Sequence, residues 1–172
     1  KVSAKLSALD GIGMSATYFK QLRGEDNVKS LELKGLGEAD SIIIAGLLGV
    51  NTSLTSLDLG AESNRMGKAW GRAVADALCT NTTLTSLNIA GNQLGDAGGA
   101  AVAEALHGNN FKIKSLDVSL NRLGRNAGRA IAAVLSHEAN LTSLNIGSND
   151  LYDGVIKSIF EACARNRQLT SL

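Results

Sequence analysis

The sequence predicts an α/β solenoid, with a curved parallel sheet along one side and a row of helices along the other. Three observations predict it. A short motif recurs as Leu54-Thr-Ser-Leu57-Asp-Leu59, Leu84-Thr-Ser-Leu87-Asn-Ile89, Ile113-Lys-Ser-Leu116-Asp-Val118 and Leu141-Thr-Ser-Leu144-Asn-Ile146. Each copy is followed by apolar or small residues spaced four apart. The composition is that of one small unit copied many times, with 3% aromatic residues, 19 Gly and no Pro among 172 residues.

The last two apolar positions of each motif alternate as in a strand. Weaker copies start at Val28 (with Leu31 and Leu33) and at Leu6 (with Leu9), and a further copy runs from Leu169 to Leu172. Counted start to start, the steps are 22, 26, 30, 29, 28 and 28 residues. The four-spaced stripes are Met66, Trp70, Val74, Leu78; then Leu94, Gly98, Val102, Leu106; then Leu123, Ala127, Ile131, Leu135; then Leu151, Val155, Ile159, Cys163. Such spacing draws one line along a helix. A first helix, about Ser15 to Leu22, is one turn shorter. Gly98 and Gly99 are expected in the first turn of theirs, where glycine costs little. One unit alone has too little core, and stacking supplies the rest. The chain divides as a single domain over 1–172. Residues 1–27 form an irregular N-terminal repeat or cap, 28–168 form five repeats, and 169–172 begin another.

An asparagine stands between strand and helix at Asn64, Asn92, Asn121 and Asn149. Its expected task is to satisfy backbone groups where the chain leaves the sheet, so that neighbouring copies form a buried amide ladder. The units from Leu6 and Val28 lack it, and the unit from Leu54 carries two extra residues around Ala61 to Ser63. Trp70 takes the slot held elsewhere by Gly98, Ala127 and Val155, and is expected to fill space created by that insertion.

The pattern L-x-x-L-x-L-x-x-N-x-L, followed by a helix and closing near Asn81, Asn109 or Asn166, resembles leucine-rich repeats. The repeat length and helical stripe resemble the ribonuclease-inhibitor-like class, with similar repeats in NOD-like receptors and Ran GTPase-activating proteins. The resemblance covers Val28 to Leu172 well and residues 1–27 weakly. It implies a curved horseshoe, but the class serves many roles.

The chemistry of the remaining residues narrows those roles. With 17 basic and 16 acidic residues, the net charge is +1, which gives no electrostatic reason to expect nucleic acid or an anionic membrane. No apolar run approaches the roughly 18 residues of a membrane span. Cys79 and Cys163 lie three units apart, beyond disulfide reach, so a reduced, cytoplasmic setting is expected. Cys163 falls on the apolar stripe and should be buried. The chain begins at Lys1 without a signal-like leader, as an excerpt or processed form would. His107 and His137 fall at helix ends without metal-ligand spacing. No metal, no cofactor and no catalytic residue is expected: there is no phosphate-cradling loop, and no serine faces a histidine. Asn51-Thr-Ser, Asn81-Thr-Thr and Asn140-Leu-Thr match the glycosylation triplet, but sit at helix-to-strand joints where asparagine shapes a turn.

Binding is therefore expected on the concave face. One column there is Ser30, Ser56, Ser86, Ser115, Ser143, Ser171, and the next is Glu32, Asp58, Asn88, Asp117, Asn145. The third is Lys34, Gly60, Ala90, Ser119, Gly147. Acids and amides alternate from Asp58 onward, which limits repulsion between strands about 4.8 Å apart. A basic flank is formed by Arg65, Lys68, Arg72 and by Arg122, Arg125, Arg129, with Asp96 expected to pair with Lys68 and Arg125 between them. The leading expectation is a non-catalytic scaffold for a protein partner. Alternatives are a GTPase-activating or other enzyme-regulatory domain, and a sensor or autoinhibitory segment of a larger NOD-like receptor. Self-association through an uncapped C-terminal end is a further expectation.

Overall fold

A computed structural model describes residues 15–60, 64–107, 112–137 and 140–172. The weak copy at Leu6, the insertion at residues 61–63 and Asn109 lie outside them. In chain order the described elements are α1 (Ala16–Leu22), β1 (Ser30–Glu32), α2 (Glu38–Val50), β2 (Ser56–Asp58), α3 (Gly67–Thr80), β3 (Ser86–Asn88), α4 (Gly95–Ala105), β4 (Ser115–Asp117), α5 (Arg125–Ser136), β5 (Ser143–Asn145) and α6 (Asp153–Arg165). The strands form one parallel sheet in sequence order, β1-β2-β3-β4-β5. Parallel neighbours need a crossover, and here each crossover is the helix that packs on the next helix.

The register aligns the repeats residue for residue. Leu31, Leu57, Leu87, Leu116 and Leu144 pair in turn, with the serine column on one side and the acid or amide column on the other. An isolated bridge joins Ser143 to Ser171, so the copy beginning at Leu169 continues the sheet. Threonine hydroxyls bind the sheet along its rim: Thr55 donates to the carbonyl of Lys29, Thr85 to that of Thr55, Thr142 to that of Lys114, and Thr170 to that of Thr142.

The stripe residues of α3, α4 and α5 are all buried against the sheet leucines, in one continuous core. Trp70 is fully buried in it. Cys163, on the outermost stripe, is only half-buried, and burial still pushes its thiol up from its ordinary pKa. Gly98 closes the first turn of α4, as expected, whereas Gly99 lies just beyond it. Contact decides their place: a Cβ on Gly99 would collide with Leu123 and touch Ala127, and one on Gly71 would collide with the backbone of Gly98. Close helix approach therefore outweighs the roughly 1 kcal/mol that glycine costs in a helix.

A second set of asparagines shapes the helix-to-strand joints. The Oδ1 atoms of Asn51, Asn81 and Asn166 accept the N–H groups two and three residues on, at Ser53 and Leu54, Thr83 and Leu84, Gln168 and Leu169. Their Nδ2 groups donate back to carbonyls of the preceding repeat, at Leu22, Leu48 and Leu135. The amide nitrogens of Asn51 and Asn81 are thus committed within the fold, and both residues are buried. Asn140 lies at a different position of its joint and is exposed.

Candidate functional site

Between strand and helix, Asn64, Asn92, Asn121 and Asn149 form the underside of the candidate surface. Asn121 Oδ1 accepts the N–H of Asn92 at 2.9 Å and of Leu94 at 3.3 Å, both in the preceding repeat. Asn149 Oδ1 does the same for Asn121 and Leu123, at 2.9 and 3.0 Å. Each Nδ2 donates back to the preceding strand: Asn64 to Leu33, Asn92 to Leu59, Asn121 to Ile89, Asn149 to Val118. The result fixes the loops from below and leaves their outer residues to vary.

On the sheet face the acid and amide column is pinned by its own turns. Asp58, Asn88, Asp117 and Asn145 each accept, through Oδ1, the N–H two residues on, at 2.8, 3.0, 2.9 and 3.0 Å. These side chains are therefore held in place before any partner arrives. Asn145 Nδ2 donates to Asp117 Oδ2 at 2.8 Å, which is the attractive contact that alternating acids and amides allow. Glu32 pairs instead with Lys34 at 2.7 Å, and this hydrogen bond holds the ammonium above its ordinary pKa. The column is half-exposed to exposed throughout.

Asp96 departs from expectation. It pairs with neither Lys68 nor Arg125. Its carboxylate accepts the backbone N–H groups of Gly124, Asn126 and Ala127, at 3.1, 3.1 and 2.8 Å. It thus caps α5 from the neighbouring repeat. Burial alone would raise its pKa, but these backbone donors outweigh burial and hold the carboxyl below its ordinary value. The physical reason is that α5 has no acid in its first turn, whereas α4 and α6 carry Asp96 and Asp153 there. A helix N-terminus presents several aligned donors, and an exposed ammonium or guanidinium cannot match them. Glu38 of α2 also stands beside Gly67, at the start of acid-free α3, but makes no hydrogen bond to it.

Because Asp96 is occupied, the cations are left open. Arg72 meets Asp76 at 4.0 Å, whereas Arg65, Lys68, Arg122, Arg125 and Arg129 form no ion pair among the described residues. Arg65 with Lys68, and Arg122 with Arg125, sit at the loop ends of α3 and α5. Acid-bearing α4 lies between the two groups.

Two residues that the repeat pattern did not single out stand on this rim. The loop position before the ladder asparagine adopts a left-handed backbone: φ is +70° at Gly91, +57° at Leu120 and +53° at Ser148. Leu120 is held there because its N–H must reach the carbonyl of Gly147, as Gly91 reaches Ser119. The conformation costs a leucine about 1 kcal/mol, and its side chain is nevertheless 60% exposed. Tyr152, 59% exposed, replaces the glycine found at Gly37, Gly67, Gly95 and Gly124. The Arg125 guanidinium lies 5.4 Å from its ring centroid, within cation–π range. In the sequence, both show as a break in a glycine-containing column.

Elsewhere, His107 and His137 are exposed and their rings meet edge-on at 6.0 Å, with His137 Nδ1 2.8 Å from the carbonyl of Ala133. Among the described residues, no group of three or more metal-ligating side chains occurs, and no helix is long and apolar enough to cross a membrane.

Comparison with known proteins agrees with this architecture. A family model described as leucine-rich repeat matches residues 80–103 and 109–132. The chain is 36% identical over 99 residues to human NACHT, LRR and PYD domains-containing protein 13, covering 58% of this chain and 10% of that protein. It is 25% identical over 182 residues to the ribonuclease inhibitor of Sus scrofa, covering 90% of this chain and 38% of that protein. Among solved structures, the actin-binding site 2 of leiomodin-1 superposes with a TM-score of 0.70 at 20% identity, covering 88% of each chain. The C-terminal domain of a Caenorhabditis elegans tropomodulin superposes at 0.68 and 14% identity, covering 87% of this chain and 91% of that one. The chain spans well under half the length of these curated relatives, and the structural likenesses speak for the fold alone. With its register and asparagine ladder, the chain folds as a leucine-rich-repeat solenoid, and its repeats are similar to those of the ribonuclease inhibitor.

Proposed function

We propose that this chain is a non-catalytic protein-binding domain, engaging its partner through the open face of the sheet and the strand-to-helix loops. The observation that carries this reading is the in-register column Glu32, Asp58, Asn88, Asp117 and Asn145. Its Asp and Asn members are locked by hydrogen bonds yet remain accessible. Side chains already ordered lose little entropy on binding, which favours recognition. That a structural neighbour is titled an actin-binding site supports protein binding as a use of this fold, without naming a partner here. Two free cysteines fit the reducing interior of a cell.

The test is affinity capture with wild type and with Asp58→Lys plus Asp117→Lys. Both substitutions remove turn bonds, to Gly60 and Ser119, so the variant is compared only after its circular dichroism spectrum and melting temperature show that it is folded. A partner retained by wild type and lost by the variant supports the reading, and unchanged recovery removes the sheet face from it. A second reading is favoured by the match to the human NACHT-containing protein: the chain forms part of the sensor or autoinhibitory segment of a larger receptor. Binding of the isolated chain to a nucleotide-binding domain from the same polypeptide would test that version.

A further inference from the structure

Resting on the protein-binding reading, we infer that the recognition hot spot lies on the loop rim of β4–α5 and β5–α6. The structure assigns it to Leu120, Arg122, Arg125 and Tyr152, and its partner is an acidic protein segment bearing an apolar side chain.

The argument starts from two exceptions. The positions of Leu120 and Tyr152 are held by small residues in other repeats: Gly91 and Ser148 for the first, and Gly37, Gly67, Gly95 and Gly124 for the second. Nothing in the stacking of repeats requires a large side chain at either place, since neighbouring repeats stack without one. Both side chains are instead directed largely to solvent, and Leu120 keeps a left-handed backbone that glycine would adopt without strain. A strained, exposed leucine in a loop fixed from below by Asn121 and Asn149 is a feature that folding alone does not select.

Charge sets the partner's chemistry. Arg122, Arg125 and Arg129 follow Leu120 on the same loop and helix, and none is paired with a carboxylate among the described residues. The acid that could have neutralised them, Asp96, is consumed in capping α5. Asp150 and Asp153 on the next loop bound the basic patch on one side. Arginine and tyrosine are the residues that dominate binding hot spots, and here one is stacked on the other, so both are pre-ordered. An apolar leucine beside them calls for an apolar group between the partner's carboxylates. A nucleic acid fits less well, because one face of the single tyrosine ring is already covered by Arg125.

The experiment pans a random peptide display library against the full chain, then measures the selected peptide by fluorescence polarisation on variants. The expected peptides carry carboxylates flanking an aliphatic or aromatic residue. Arg122→Glu should weaken binding more than tenfold, the scale of a hot-spot loss. Leu120→Gly should weaken it several-fold while the melting temperature stays level or rises, because glycine relieves the backbone. That opposite movement separates a recognition role from a structural one. Basic or charge-free selected peptides overturn the proposal. So does a peptide displaced by Asp58→Lys plus Asp117→Lys but indifferent to Arg122→Glu and Leu120→Gly; that result leaves the wider protein-binding reading standing. A library that yields no binder, or a short single-stranded oligonucleotide that binds this rim in preference to the peptides, also overturns it.

Discussion

Asn92 and Asn121 hold the same place in adjacent repeats and are equally buried, yet they are bonded differently. Asn121 donates from Nδ2 to Ile89, Val118 and Ser119 and accepts at Oδ1 from Asn92 and Leu94. Asn92 donates to Leu59, Ile89 and Ala90, but its Oδ1 is buried with no hydrogen-bond partner among the described residues. The repeat before Asn92 is the one carrying the insertion around Ala61 to Ser63. The backbone bond across that junction survives, with Gly67 N–H on the carbonyl of Asn92, just as Gly95 N–H reaches the carbonyl of Asn121. At this junction the side-chain oxygen is unpartnered while the backbone bond from Gly67 to Asn92 is kept. Stability in such an array is a sum of nearest-neighbour terms, so one imperfect junction is tolerated without disturbing the next.

The two sites should therefore respond unequally to the same truncation. Asn121→Ala strands two buried N–H groups and a carbonyl of the preceding repeat, and should destabilise the chain by about 3 kcal/mol in urea unfolding. Asn92→Ala removes donors only, and also removes an oxygen that is buried without a partner. Its cost should be nearer to 2 kcal/mol. Equal losses would mean that the Asn92 oxygen is satisfied in solution, by a buried water for example, and the contrast between the junctions would dissolve.

A similar asymmetry runs through the helix starts. Helix α4 carries an acid in its first turn but lends it to α5, which has none. Asp96→Ala should cost about 1 kcal/mol, as losing an N-cap does, with the loss confined to the α4–α5 junction. The sign of its pH dependence follows from the lowered pKa. The ionised carboxylate stabilises the fold above the ordinary value of about 3.9, and that contribution fades as pH falls through the lower folded value. The gap between wild type and Asp96→Ala should therefore be constant near neutrality and close below about pH 4. A gap that persists in strong acid would show that Asp96 acts by packing rather than by charge.

The sequence pattern made the leucine register, the stripe residues and the asparagine ladder legible because each recurs at a fixed step, and recurrence reveals which residues stack. It did not reveal which atoms bond. Alternating charges at Lys68, Asp96 and Arg125 suggested ion pairs, but the N–H groups at the start of α5 compete for the same carboxylate and win by number and alignment. That Asn92 Oδ1 has no partner where Asn121 Oδ1 has two is likewise invisible to a spacing count. Leu120 and Tyr152 are hidden for the opposite reason: they break the repeat, and recurrence displays only what repeats.

The smallest effect sharpens the same distinction between positions set by a neighbour and positions that are not. Gly99 of α4 cannot accept a methyl group, because Leu123 of the next repeat already fills the space. Gly154 of α6 lies in the first turn of an exposed helix face, and nothing comes within 4 Å of where its Cβ would stand. Its equivalents in α2, α3 and α4 are Ala39, Ala69 and Ala97. Helix propensity alone should then decide the outcome there. Gly154→Ala should stabilise the chain by a few tenths of a kcal/mol, about half of the full interior difference because the first turn is only partly restrained. Differential scanning calorimetry resolves such a change as a melting point raised by about 1 °C. A lowered melting point would mean that α6 is packed against something at that face in solution, and that its first turn belongs with the neighbour-determined positions after all.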